Sequence, residues 1–189
     1  MSRDDAAALT PFQPVGPYFH VMLRDAPLRA AVVAGPDVPG PRITIEGVVL
    51  DGARTPVADA LVEIWQADAD GRYAEGASAA TPAFTGYGRV ATDGEGRFSF
   101  VTIKPGVVHD GARLPQAPHL LLAVLAPGIL ARYWTRIYFE DETANGTDPV
   151  LGLVPEGRRK TLLARRAGHG IHHFTVVLQG EDETVFFEA

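Results

Sequence analysis

No cysteine occurs in this chain of 189 residues, so neither a disulfide framework nor a thiolate metal site is open to it. Long apolar runs are missing too. Nothing approaches the roughly 18–20 consecutive residues that span a bilayer, and the opening MSRDDAAALTP lacks the apolar core of a signal peptide. No membrane partner is expected, and the setting is expected to be cytoplasmic. Positive charge is scarce: 17 Lys and Arg against 23 Asp and Glu leave a net charge of −6, which argues against nucleic acid as a partner. Helix-period stretches are few.

What is present is apolar material and turns. Hydrophobic residues make up 46% of the chain, enough for a proper core. The 20 Gly and 15 Pro point to many turns and long loops rather than to disorder. With short alternating segments between them, the fold class is all-β: a β-sandwich of two mostly antiparallel sheets with long loops and one short helix. No internal repeat or boundary divides it, so residues 1–189 read as one domain.

The pattern is clearest around one loop. Arg97–Ile103 alternates polar and apolar residues, as a half-buried strand does, and His119–Leu125 is apolar on both faces, as a buried strand is. Between them lies a long segment broken by Pro105, Gly106, Gly111, Pro115 and Pro118, and a loop of that length in a compact domain is usually functional. Further strands are expected over Ile43–Leu50, Ala60–Gln66, Tyr133–Phe139, Ile171–Gln179 and Thr184–Phe187. In Ala60–Gln66 the even residues Val62, Ile64 and Gln66 face one way, and Leu61, Glu63 and Trp65 the other. Ala67–Arg89 reads as a turn-rich excursion. Gly157–Arg166, GRRKTLLARR, reads as the one helix, with a basic, solvated face. At the front, Pro11, Pro14 and Pro17 rule out helix, so residues 1–20 form an extended arm.

These residues resemble the intradiol ring-cleaving dioxygenases. The resemblance rests on VGPYF (15–19), VEIWQADADGRY (62–73), DGEGRFSFVTIKPG (93–106) and WTRIYFEDE (134–142), which lie in order along nearly the whole chain. The closing LQGEDETVFFEA and the shortness of the chain are similar to the family's non-metal alpha subunits. Catalytic members hold a non-haem Fe(III) with two Tyr and two His, a donor set of hard phenolate oxygen and imidazole suited to ferric iron.

Carried over by motif, Tyr73 of GRY matches the first ligand tyrosine and His119 the first histidine of an H-x-H pair. Val108 stands where P-G-x-Y would place the second tyrosine, and Leu121 where the second histidine would fall. Neither can coordinate. Losing a group that merely orients a ligand costs roughly 10–100-fold in metal affinity, so losing two direct ligands costs far more. Burial of Leu121 is expected to fill the pocket, and Tyr73 is expected to hydrogen-bond His119. His109 is the best substitute ligand, although it points differently, while the adjacent His172 and His173 face opposite sides of a strand and cannot share a site.

The resemblance then implies a hetero-oligomer. A catalytic beta subunit of the same fold would hold the Fe(III), and a small aromatic acid and O2 would meet at the subunit interface. From this chain, Gly16, Pro17 and Tyr18 of the arm would wall the partner's pocket. Arg136 would face the substrate carboxylate, for which guanidinium is suited. Blander roles stand beside these: interface packing for Tyr18 and a structural ion pair for Arg136. Two other readings stay open, a stand-alone transthyretin-like binding module and an autonomous iron dioxygenase with substitute ligands.

Overall fold

The computed structural model describes residues 31–74, 84–109, 111 and 114–187. The arm, with Gly16, Pro17 and Tyr18, lies outside them. Eight strands run in chain order: β1 (Arg42–Leu50), β2 (Leu61–Gln66), β3 (Tyr87–Ala91), β4 (Arg97–Ile103), β5 (His119–Leu125), β6 (Tyr133–Phe139), β7 (Leu163–Gly168) and β8 (Ile171–Val177). Two short helices, α1 (Pro149–Leu153) and α2 (Glu156–Arg159), sit between β6 and β7.

The all-β class is as expected, but the strands do not separate into two sheets. They form one eight-stranded sheet in the order β3-β2-β5-β6-β7-β8-β1-β4. The joint is β7, which pairs parallel with β6 through Tyr138 and Phe139 and antiparallel with β8 across a bulge. The sheet curls over on itself, so that Ile45 of β1 and Phe100 of β4 share one core with Ile64 of β2, Leu122 of β5 and Ile137 of β6.

The alternation in β4 holds as predicted, with Phe98 and Phe100 inward, and β5 is buried on both faces except at Leu121 and Leu125. A buried polar link fastens β2, next to one end of the sheet, to β4 at the other end. Gln66, fully buried, donates to the Ile103 carbonyl at 2.9 Å and accepts from the Thr102 hydroxyl at 2.7 Å, which accounts for the Gln of the EIWQA motif.

Three expectations need correction. The predicted helix over Gly157–Arg166 ends early: α2 passes into a 3-10 turn over Lys160–Leu162, and Leu163–Gly168 is strand. Its Leu, Ala and Arg favour helix locally, but pairing with β6 and β8 overrides that preference. β3 begins inside the Ala67–Arg89 excursion and runs on to Ala91, a strand that the sparse pattern of YGRVA conceals. Thr184–Phe187 makes no strand. It docks through one backbone bridge, the Phe187 N–H donating to the Trp134 carbonyl at 2.8 Å, and through hydrogen bonds that tie Thr184 to Val177 and Val185 to Thr135 and Thr161.

On the outer face of β2, Glu63 is buried under its neighbours. It accepts hydrogen bonds from Tyr87 (2.6 Å) and Arg89 Nε (2.7 Å) and pairs with Arg132. Burial alone would raise its carboxyl, but these donors and charges outweigh that and hold it below the usual range.

Candidate functional site

The loop between β4 and β5 is drawn onto the GRY turn by close backbone approach. Gly71 sits at φ +80°, where a Cβ would come within 1.8 Å of the Val107 carbonyl oxygen. Gly106 donates to the Asp68 carbonyl at 2.9 Å. Beyond it, Val108 and Gln116 exchange backbone hydrogen bonds of 3.0 and 2.9 Å, closing the loop on itself. This brings Tyr73, Val108 and the start of β5 together.

Tyr73 Oη lies 3.3 Å from His119 Nε2, so the predicted pair exists. Its arrangement is fixed from behind by Asp148, which sequence reasoning missed. The Asp148 carboxylate caps α1 by accepting from the amides of Val150 and Leu151. It also accepts from the Ala117 N–H at 2.7 Å and from the Tyr138 hydroxyl at 3.0 Å. Ala117 in turn presents its carbonyl to His119 Nδ1 at 2.7 Å. Asp148 followed by Pro149 is a helix-start signature, and that was the available signal.

His119 is 1% exposed, and burial drives its pKa down to about 4, with the nearby Arg136 charge acting in the same direction. Burial pushes the Tyr73 phenol up, against the pull of Arg136. At neutral pH both groups are therefore uncharged.

Above the pair opens a cleft of about 700 Å³, lined by Trp65, Tyr73, Val108, Leu121 and Arg136 among others. The expectation that Leu121 fills the pocket is overturned: Leu121 is only half-buried and forms part of the cleft wall. The reason is positional. Leu121 lies opposite Trp65 on β2 and Arg136 on β6, at the outer face of the sheet rather than in the core. Val108 is buried but also borders the cleft.

Arg136 belongs to this same cleft. Its Nη1 donates to Gln116 Oε1 at 2.7 Å and to the Tyr138 hydroxyl at 3.3 Å, and no carboxylate among the described residues pairs with it. His109, exposed, borders the cleft as well. His172 and His173 face apart as predicted: His172 is buried against Phe139, while His173 is exposed and bonds Glu46.

These residues do not fit a four-ligand ferric site. Two of the four positions are aliphatic, and the two polar ones satisfy each other. No group of three or more His, Asp or Glu side chains among the described residues is arranged to hold a metal ion.

The fold and the cleft nevertheless place the protein in a class. A family model described as Dioxygenase matches residues 15–167, and the chain belongs to that dioxygenase family. Its relatives are more particular. It is 41% identical to the protocatechuate 3,4-dioxygenase alpha chain of Pseudomonas putida, over 95% of this chain and 96% of that one. It is 34% identical to the protocatechuate 3,4-dioxygenase beta chain of Burkholderia cepacia, over 96% of this chain and 80% of that one. Among solved structures it is similar to a dioxygenase domain from Streptomyces sp. SirexAA-E, with 30% identity, a TM-score of 0.64, and 91% and 99% of the two chains covered.

Proposed function

We propose that this chain is the alpha subunit of a protocatechuate 3,4-dioxygenase, holds no iron itself, and assembles with a beta subunit of the same fold that holds the Fe(III). The assembled enzyme opens the ring of protocatechuate between its two hydroxyl-bearing carbons. Both atoms of O2 are retained in the product, 3-carboxy-cis,cis-muconate. The observation that carries the reading is the pair of aliphatic side chains, Val108 and Leu121, bordering the cleft beside Tyr73. Similarity to both an alpha and a beta chain supports a partnership of like folds.

In this reading the subunit contributes shape and charge. Gly16 permits close backbone approach, while Pro17 and Tyr18 give a rigid wall to the partner's pocket. Arg136 supplies a cation for the carboxylate of the aromatic acid. The enzyme works in the cytoplasm; among the described residues, no helix is long and apolar enough to cross a membrane.

The test is expression of this chain alone and together with a beta partner, followed by iron analysis and O2 uptake with protocatechuate. The chain alone is expected to carry no iron and no activity, and the pair to carry both. Stoichiometric iron in the chain alone sinks the reading.

A further inference from the structure

A guanidinium that serves a carboxylate in a neighbouring subunit has to be held still without being neutralised. A carboxylate from its own chain would hold it firmly, but would compete for the same donors and cancel the charge on offer. Arg136 is held by neutral acceptors instead. Its Nη1 donates to the side-chain oxygen of Gln116 at 2.7 Å and to the Tyr138 hydroxyl at 3.3 Å. Nε and Nη2 make no hydrogen bond to the described residues, and no Asp or Glu is among the described residues that line the cleft.

The acid of this network, Asp148, is kept one hydroxyl away. Tyr138 donates to it at 3.0 Å, and the amides of Ala117, Val150 and Leu151 occupy its remaining lone pairs. Tyr138 itself lies in the core and packs with Leu151 and Leu162. Gln116, half-buried on the cleft lining, makes the shorter bond to Arg136. Its backbone is clamped by the two hydrogen bonds it exchanges with Val108, so its amide reaches β6 from a fixed base.

We propose that Gln116 is the positioning residue of Arg136: an uncharged strut that sets the aim of the guanidinium, leaves its charge whole, and so sets the assembled enzyme's preference for an aromatic acid over its neutral analogue. It rests on the reading above that Arg136 faces the substrate carboxylate in the partner's pocket.

The experiment is steady-state O2 uptake by the co-expressed complex, with protocatechuate as substrate and the neutral 3,4-dihydroxybenzamide as competitor. Gln116→Glu keeps the length of the side chain and its hydrogen bond, so a merely structural role predicts no change. A positioning role predicts a KM for protocatechuate raised roughly tenfold or more, the size of one hydrogen bond to a charged group. The inhibition constant of the amide should move less than about threefold. Gln116→Met, which removes the acceptor and adds no charge, should raise KM in the same sense but by less.

Arg136→Gln in the same assay separates the two readings. If it leaves KM unmoved, Arg136 does not meet the substrate, and the role of Gln116 falls with that of Arg136. If Arg136→Gln raises KM and Gln116→Glu does not, the role of Gln116 alone is overturned. An equal rise in KM and in the inhibition constant of the amide overturns it too. So does failure of both Gln116 variants to assemble with the beta chain, which would make the residue a structural one.

Discussion

The Tyr73 hydroxyl meets Nε2 of His119 at 3.3 Å, and the other ring nitrogen lies 2.7 Å from the Ala117 carbonyl. A carbonyl only accepts, so Nδ1 carries the proton and Nε2 accepts from the phenol. The two residues that match family iron ligands thus complete each other. Tyr73→Phe would leave a buried acceptor without its donor, at a cost of about 1–3 kcal/mol. Urea denaturation should show that loss, with no change in metal content; an unchanged midpoint would mean the bond contributes nothing.

The same pair makes stability depend on pH. His119 titrates at about 4 in the folded protein, against an ordinary value of 6.5, because burial disfavours the cation. Between those values the unfolded chain binds the extra proton, so stability is full above pH 6.5 and falls as the pH drops toward 4. The slope from this group is at most about 1.4 kcal/mol per pH unit. Denaturation midpoints measured from pH 7.5 to 4.5 should follow it, and His119→Gln should flatten that part of the profile.

Replacing both aliphatic residues at the cleft should recreate a donor set. The double variant Val108→Tyr with Leu121→His is expected to take up ferric iron and to gain a visible phenolate-to-iron absorption band. Each single variant should bind far more weakly. A colourless, iron-free double variant that still folds would show that the cleft's geometry, and not only its side chains, has departed from a metal site.

Gly71 should tolerate no side chain. An added Cβ would meet the Val107 carbonyl oxygen at 1.8 Å, at a backbone φ of +80° that other residues adopt with strain. Gly71→Ala is expected to destabilise the fold by about 2 kcal/mol or more. Hydrogen exchange should report the loosening first at the amides of Val108 and Gln116, which hold the loop closed. Protection there equal to wild type would show that the loop does not lean on this turn.

Much of the strand content was legible in the chain. Arg97–Ile103, His119–Leu125 and Tyr133–Phe139 run between the residues expected from their apolar pattern, because burial on one or both faces of a sheet writes itself into every second residue. The elements misread carry little such writing. YGRVA is short and mixed, and LARRAG is built from residues that prefer helix until neighbouring strands capture their backbone. Of the site, Tyr73, His119, Val108 and Leu121 were legible through their motifs, and so was the hydrogen bond between the first two.

Asp148 and Gln116 were not legible as parts of the site. Their roles come from the loops flanking β5 and β6, which fold so that Gln116 meets Arg136 and Asp148 meets Ala117 and Tyr138, and no local pattern records such a meeting. The openness of the cleft was hidden for the same reason. A leucine in a sequence says that apolar surface is present; only the paired strands decide whether it points into the core or, like Leu121, out beside Trp65 and Arg136. The sequence by itself thus determined which atoms are available to bind a metal or an acid. The tertiary structure decided which of them face a common space.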